Sequence, residues 1–255
     1  MELAGQRHDF IEETPMTEFS AAFSAAFSLL ISLDPDLAEI VMLSLSVSLV
    51  AVLTAIVIGM PLGATLAVIS FPGRRAVVVG LSSLMGLPPV VVGLIVYMLL
   101  SRSGPLGVLN LLFTPTAMII AQVILVVPII ASLTRQVVEE LWTEYEEQLR
   151  SLGATPRQAL PTLLWDGRFS LVTAVLAGFG RAIAEVGAVM IVGGNIDHAT
   201  RVMTTAIALE VSKGDLALAL GLGIVLILLS IGVNALVQLI QKPDQVLNPA
   251  KGSAQ

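Results

Sequence analysis

Arg181 and Glu185 stand four residues apart inside an otherwise apolar stretch, about 169–193, a spacing that puts both side chains on one helix face. Such a pair can close on itself as a structural ion pair. It can also present a partly neutralised guanidinium that attracts an anion and still lets it leave. Unpaired charge at that depth in a bilayer costs about 2.5–3.5 kcal/mol even on a lenient insertion scale. The residues alone leave both readings open.

The second informative stretch is a polar island from Glu144 to Asp166, EYEEQLRSLGATPRQALPTLLWD, set between long apolar runs. Glu139 to Leu152 favours helix, Gly153 suits a turn or a helix C-terminus, and Pro156 can open the next helix because its missing N–H costs nothing there. The pattern predicts a helix–turn–helix platform standing out from a membrane. A plain solvated loop and an interfacial element without a partner are the competing readings.

Other chemistry is absent from the sequence. Zero cysteines remove disulfides, thiolate nucleophiles and Cys-type metal sites. His8 and His198 lack metal-ligand spacing and read as ordinary loop residues. There is no Gly-x-x-x-x-Gly-Lys-Ser/Thr phosphate loop and no Gly-x-Ser-x-Gly elbow. Intrinsic catalysis is not expected, and neither a metal nor another cofactor is expected on this chain.

The elements that must position these residues are membrane spans. Hydrophobic residues make up 56% of the chain, only 13% are charged, and mean hydropathy is +0.92; a soluble domain would carry about 25% charge. Residues 40–73, 76–101, 103–134 and 216–241 contain no Asp, Glu, Lys or Arg. Each exceeds the roughly 20 residues that cross the hydrocarbon core. With the 169–193 stretch, the expected fold is an all-α membrane protein of five spans, about 41–70, 78–101, 115–135, 169–193 and 216–240, with the platform at 139–168. The spans form one domain, 39–241, followed by a tail, 242–255.

Cytoplasmic loops carry an excess of Lys and Arg. Arg74, Arg75, Arg135, Arg150, Arg157, Arg168, Lys242 and Lys251 fall on one side, against Arg7, Arg102, Arg201 and Lys213 on the other. The N-terminus is therefore expected outside and the C-terminus inside, with the platform cytoplasmic. Residues 1–38 form an outer segment in which 19–33 is too short for a normal span. Phe19, Phe23 and Phe27 recur at four-residue intervals, which suggests an interfacial amphipathic helix or a short sixth span. The net charge of −6 forms no basic stripe, so nucleic acid is not an expected partner.

Pro88-Pro89 and Pro128 sit within apolar spans, where proline frees carbonyls that need other partners. Such breaks line a pathway or shape packing. The small residues Gly178, Gly180, Ala182, Ala184, Gly187 and Ala188 allow close helix approach, and Gly221 and Gly223 read as packing positions. Thr204, Thr205 and Glu210 are expected on the outer side, with Glu210 as a solvated loop charge.

Glu147-Gln148-Leu149 followed by Gly153 resembles the loop by which permease subunits of ABC transporters seat their ATPase partners. That family's pattern commonly closes with Ile-x-Leu-Pro, where this chain has Leu163-Leu164-Trp165-Asp166. Phe71-Pro72-Gly73-Arg74, Leu87-Pro88-Pro89-Val90-Val91-Val92-Gly93, the run Gly180 to Val189 and Gly193-Gly194-Asn195 are similar to molybdate, tungstate and sulfate permeases. The continuation from Asn195 to Glu210 looks most like the tungstate branch. Together these stretches cover most of residues 41–240.

The resemblance implies the permease subunit of a tungstate importer, with a molybdate or sulfate permease as the near alternative and a secondary transporter as the distant one. It implies a homodimer around one path, two copies of an ABC ATPase that bring ATP and Mg, an extracytoplasmic tungstate-binding protein, and a place in the inner membrane of a bacterium or archaeon. Carried over by position, Glu147, Leu149, Arg150, Ser151, Leu152, Gly153, Ala154 and Thr155 would contact the ATPase. Pro88, Pro89, Arg181 and Glu185 would belong to the path or its gate.

Overall fold

A computed structural model describes residues 35–240 and positions 23, 24, 27 and 28. The segment expected at 19–33, His8 and the tail 242–255 lie outside the described residues, except that Phe23 and Phe27 are helical and exposed.

Helix α1, Pro35–Val68, opens on a proline and carries Asp36 in its first turn, where a carboxylate suits the positive end of the helix dipole. After Gly73, in the left-handed region at φ +89, come α2, Arg74–Leu84, and α3, Pro89–Leu100. The expected continuous span 78–101 is broken here, with the two helices bent by 100°. Pro88 is extended at φ −64 and ψ 121, as a residue before proline must be, so helix cannot pass through it.

Helix α4, Pro115–Ser151, begins on Pro115 behind the N-cap Thr114 and runs 37 residues without interruption. At 1.5 Å per residue it is about 55 Å long, well over a hydrocarbon core of about 30 Å. Its charge-free part ends at Thr134, and charged residues recur from Arg135 onward. Helices α5, Pro156–Asp166, and α6, Arg168–Ile183, follow, then a break and the short α7, Gly187–Gly193, bent by 55° from α6. Helices α8, Met203–Lys213, and α9, Leu216–Ile240, complete the order.

Helices α1, α4 and α9 are each long and apolar enough to cross a membrane, and the two bent pairs raise the number of spans to as many as five. Helices α1 and α4 form the axis of the bundle. A Cβ on Gly63 would lie 2.2 Å from the Ala131 carbonyl oxygen, and one on Gly59 would lie 3.2 Å from Ile130. Glycines four apart let the two backbones approach, which supplies the dispersion contact that replaces the hydrophobic effect inside lipid. One core cluster joins α1, α4, α6, α8 and α9 around Val126, Ile130 and Phe179, and a second joins α1, α3, α4 and α7 around Met118 and Val192. The exposed Leu53, Val57, Ile227, Leu228 and Ile231 face outward from α1 and α9.

Candidate functional site

Two arrangements gather the residues singled out by sequence. The first is the helical hairpin of α4 and α5. Helix α4 ends in a Schellman motif, in which the Ala154 N–H donates to the Leu149 carbonyl at 2.9 Å and the Gly153 N–H to the Arg150 carbonyl at 3.0 Å. Gly153 sits at φ +79, and a Cβ built there would meet nothing within 4 Å. Conformation, and not space within this chain, calls for glycine. The second helix is capped by Thr155, whose N–H donates to Gln158 Oε1 at 2.9 Å and whose hydroxyl donates to the same oxygen at 2.8 Å.

Between these caps the tip is bare. Leu152 is 82% exposed, Glu147 and Thr155 are also exposed, and Arg150 pairs locally with Glu146 at 2.5 Å. Ser151 turns its hydroxyl back to the Gln148 carbonyl. The opposite face is packed: Ala159 and Leu163 of α5 bury against Val138 and Trp142 of α4 and against Ala64, Ala67 and Val68 at the end of α1.

The hairpin is bolted to the bundle at its base. Arg74 donates through Nε to the Leu66 carbonyl at 2.6 Å and through Nη2 to the Ala67 carbonyl at 3.3 Å, satisfying two orphan carbonyls at the end of α1. The same guanidinium reaches Glu139 Oε1 at 2.8 Å, and the other oxygen of Glu139 takes Arg135. This arginine–glutamate–arginine bridge ties α1 to α4 where α4 leaves the apolar layer. Sequence reading missed it, because Arg74 and Glu139 are 65 residues apart.

The second arrangement surrounds the break between α6 and α7. Arg181 and Glu185 form an ion pair, with Glu185 3% exposed and the Arg181 side chain 29% exposed. The free carboxylate oxygen, Oε1, accepts the Ala188 N–H at 2.9 Å, and the backbone carbonyl of Glu185 accepts the Thr204 hydroxyl at 2.7 Å. Gln122 of α4 donates its amide to the Ala182 carbonyl at 3.1 Å, and Ser44 of α1 accepts the Met203 N–H at 2.7 Å. Thus the carbonyls freed by the break are met by side chains from α4 and α8, the Ala188 amide is met by Glu185 itself, and Ser44 of α1 meets the first amide of α8. Ser44, Ser48, Gln122, Glu185 and Thr204 line a narrow polar crevice, and Gln122 Oε1 has no partner there.

Pro88 and Pro89 belong to the same neighbourhood. A Cβ on Gly187 would lie 2.8 Å from Val90 Cγ2, and one on Gly93 would lie 2.7 Å from Ala188 Cα. The two helix breaks therefore face each other. By contrast, Pro128 is buried within a helix that stays continuous.

One position differs from expectation. Glu210 is not a solvated loop charge: it lies in α8 on the face that buries Met203 and Ala206, and it pairs with Lys213 at 2.8 Å. His198 lies in an exposed turn, as expected, and makes a side-chain contact there. Its Nδ1 lies 2.9 Å from Glu39 Oε2, beside a cavity of about 250 Å³ lined also by Asp36, Asp197, Arg201 and Asp215. The hydrogen bond to Glu39, aided by Asp197, raises its pKa above the usual histidine value. Among the described residues no group of His, Asp and Glu could hold a metal ion.

The geometry defines a class: an all-helical multi-pass membrane component with broken spans at its centre and a rigid hairpin projecting from one end. Residues 55–242 match the family described as binding-protein-dependent transport system inner membrane component, and the chain belongs to that family. It is the membrane permease subunit of an ABC importer, the part that works with a separate ATPase and a substrate-binding protein. The chain is 43% identical to the tungstate uptake system permease protein TupB of Peptoclostridium acidaminophilum, over 82% of this chain and 92% of that one. It is 42% identical to a probable anion ABC transporter permease protein of Haloferax volcanii, over 78% of this chain and 88% of the relative. With the sulfate transport system permease protein CysW of Escherichia coli it shares 28% identity, over 69% of this chain and 63% of that one.

Proposed function

We propose that this chain is the permease of an ATP-driven tungstate importer, acting as a homodimer with two ATPase subunits and an extracytoplasmic tungstate-binding protein. The observation that supports the cargo is the higher similarity to tungstate uptake permeases, 43% and 40% identical, than to the Escherichia coli sulfate permease, 28% identical. A molybdate or sulfate importer is the second reading, favoured by the shared fold and the 31% identity to a Synechocystis sulfate permease.

In this reading the hairpin is cytoplasmic and its tip, Glu147 and Leu149 to Thr155, enters a groove on the ATPase, which brings ATP and Mg. The Schellman turn gives the tip a fixed shape, and the Arg74–Glu139–Arg135 bridge passes its displacement to α1 and α4. Closure of the ATPases on ATP draws the two hairpins together and opens the path outward; hydrolysis resets it. The paired breaks at Pro88-Pro89 and Glu185-Gly187 are where the bundle bends, and Arg181, half-neutralised by Glu185, faces the moving anion or its gate. The N-terminus lies outside and the C-terminus in the cytoplasm.

The test is uptake of tungstate by cells carrying or lacking this gene, with molybdate and sulfate as competitors at equal concentration. Loss of tungstate uptake that the other anions compete poorly supports the reading. Unchanged tungstate uptake with lost molybdate or sulfate uptake overturns the cargo and keeps the machine.

A further inference from the structure

The corner between α5 and α6 carries a side-chain cluster that neither the hairpin tip nor the polar crevice uses. Trp165 is 72% exposed at the end of a helix whose leucines are packed, and Phe169 is 46% exposed one turn later. Arg168 lies between them. Its Nη1 donates to the Trp165 carbonyl at 2.7 Å, and its guanidinium carbon is 5.0 Å from the Trp165 ring centroid and 4.5 Å from that of Phe169. Among the described residues no carboxylate pairs with it, and the neighbouring Asp166 faces Tyr145 of α4, whose pKa it raises.

The height of this cluster is set by its packing. Gly167 is pressed against α4 so closely that a Cβ would lie 2.9 Å from Leu141 Cδ1 and 3.1 Å from Val137 Cγ1. Those residues flank Glu139, the anchor of Arg74 and Arg135. Arg74 and Arg135 close the charge-free runs 40–73 and 103–134, and after Arg168 no charge occurs until Arg181. The corner is therefore level with the border between hydrocarbon and water. Helix α5, 11 residues long, spans about 16 Å between this corner and the exposed tip, which leaves the corner beside lipid.

Tryptophan rings settle at headgroup depth, and a guanidinium matches phosphate with two parallel donors. We propose that Trp165, Arg168 and Phe169 form a docking surface for the headgroup of an anionic phospholipid. The guanidinium takes the phosphate and the two rings lie among the glycerol and the upper acyl carbons. The hairpin is then held at its tip by a protein, at its base by the Glu139 bridge, and at this corner by lipid. The inference rests on α6 entering the bilayer at Arg168, and on no particular transported anion.

The assembled complex is reconstituted in phosphatidylcholine vesicles containing phosphatidylglycerol, with bromine on the upper acyl chain of one lipid or the other. The fluorescence difference between the native chain and Trp165→Phe isolates Trp165 from every other tryptophan. The expected result is quenching of that component by both lipids, with about a threefold to fivefold preference for brominated phosphatidylglycerol that Arg168→Gln brings close to one. An unquenched Trp165 component overturns the proposal, because protein then covers the corner. Equal quenching by both headgroups in the native chain overturns it as well, because the contact then reads depth and not charge. Should Trp165→Phe fail to assemble, native mass spectrometry of the unaltered complex against Arg168→Gln decides: phosphatidylglycerol retained by the first and lost from the second supports the site, and equal retention overturns it. Quenching needs neither ATP nor a transported anion. Lost quenching with normal uptake therefore removes the lipid site alone, and lost uptake with normal quenching removes the transport reading alone.

Discussion

Arg181 and Glu185 are paired one turn apart at the end of α6, and the carboxylate, the more deeply buried of the two, also accepts an amide in the first turn of the next helix, from Ala188. One acid thus serves both as counter-ion and as cap across a break. Removing Arg181 alone leaves that carboxylate without its counter-ion in a low-dielectric setting.

Arg181→Met is therefore expected to destabilise the permease more than the double variant Arg181→Met with Glu185→Gln, whose neutral amide oxygen keeps the bond from Ala188. Losing one partner of a buried pair costs about 3–5 kcal/mol, and the partial exposure of Arg181 puts the expected value at the lower end. Thermal unfolding of the four members of the cycle in detergent measures the coupling, and additive losses would remove the pairing from the account.

Gly153→Asp is expected to abolish transport while the chain still inserts and folds. The left-handed region admits Asp more readily than most residues, and a side chain there meets nothing within 4 Å in this chain. A loss of uptake and of ATPase co-purification then reports on the partner's groove. Normal uptake would sink the coupling assignment.

Glu139→Gln should loosen the base of the hairpin, because it weakens charge-assisted bonds to two arginines at once. Pairs this exposed contribute up to about 1 kcal/mol each, so amide exchange in α5 is expected to quicken by about threefold to tenfold with little change in α9. Equal protection of α5 in both proteins would show that apolar packing alone holds it.

Gly63→Ala should cost about 1–3 kcal/mol by forcing α1 away from the Ala131 carbonyl, whereas Gly80→Ala, with nothing within 4 Å of its Cβ, should be close to neutral. Unfolding midpoints of the two variants against the native protein make the comparison.

The Glu39–His198 contact should make the end of the bundle opposite the hairpin pH-dependent. Because the folded state raises the His198 pKa, its contribution is fully present below the unfolded value of about 6.5 and fades as pH rises through the higher folded value. His198→Gln is therefore expected to lower the unfolding temperature at pH 5.5 and to match the native protein at pH 9. A difference that persists at pH 9 would assign the effect to the residue's left-handed backbone at φ 53 instead.

What could be read in the sequence followed from local rules. Gaps between charges outlined the apolar segments, Gly153 and Pro156 marked the end of one helix and the start of the next, and a four-residue spacing paired Arg181 with Glu185. What escaped depended on tertiary contacts. Pro88-Pro89 signalled a break but not a bend of 100°, which is fixed by how Gly93 and Val90 meet α7. Gly59 and Gly63 had the right spacing for a close crossing, but nothing local named Ala131 as the other side. Glu210 looked exposed because its helix is short and polar at its end; only the burial of Met203 and Ala206 shows which way it turns.

The unbroken length of α4 has a mechanical meaning beside its two broken neighbours. A rod of about 55 Å turned through about 4° sweeps its end by about 4 Å, the size of a side chain. Helices α3 and α7, jointed where they touch it, can follow such a tilt by flexing at their hinges while the rod stays straight. In the proposed coupling, a small stroke at Leu152 would be converted by leverage into a change of bore at the far end, with the gain set by where along α4 the fulcrum lies.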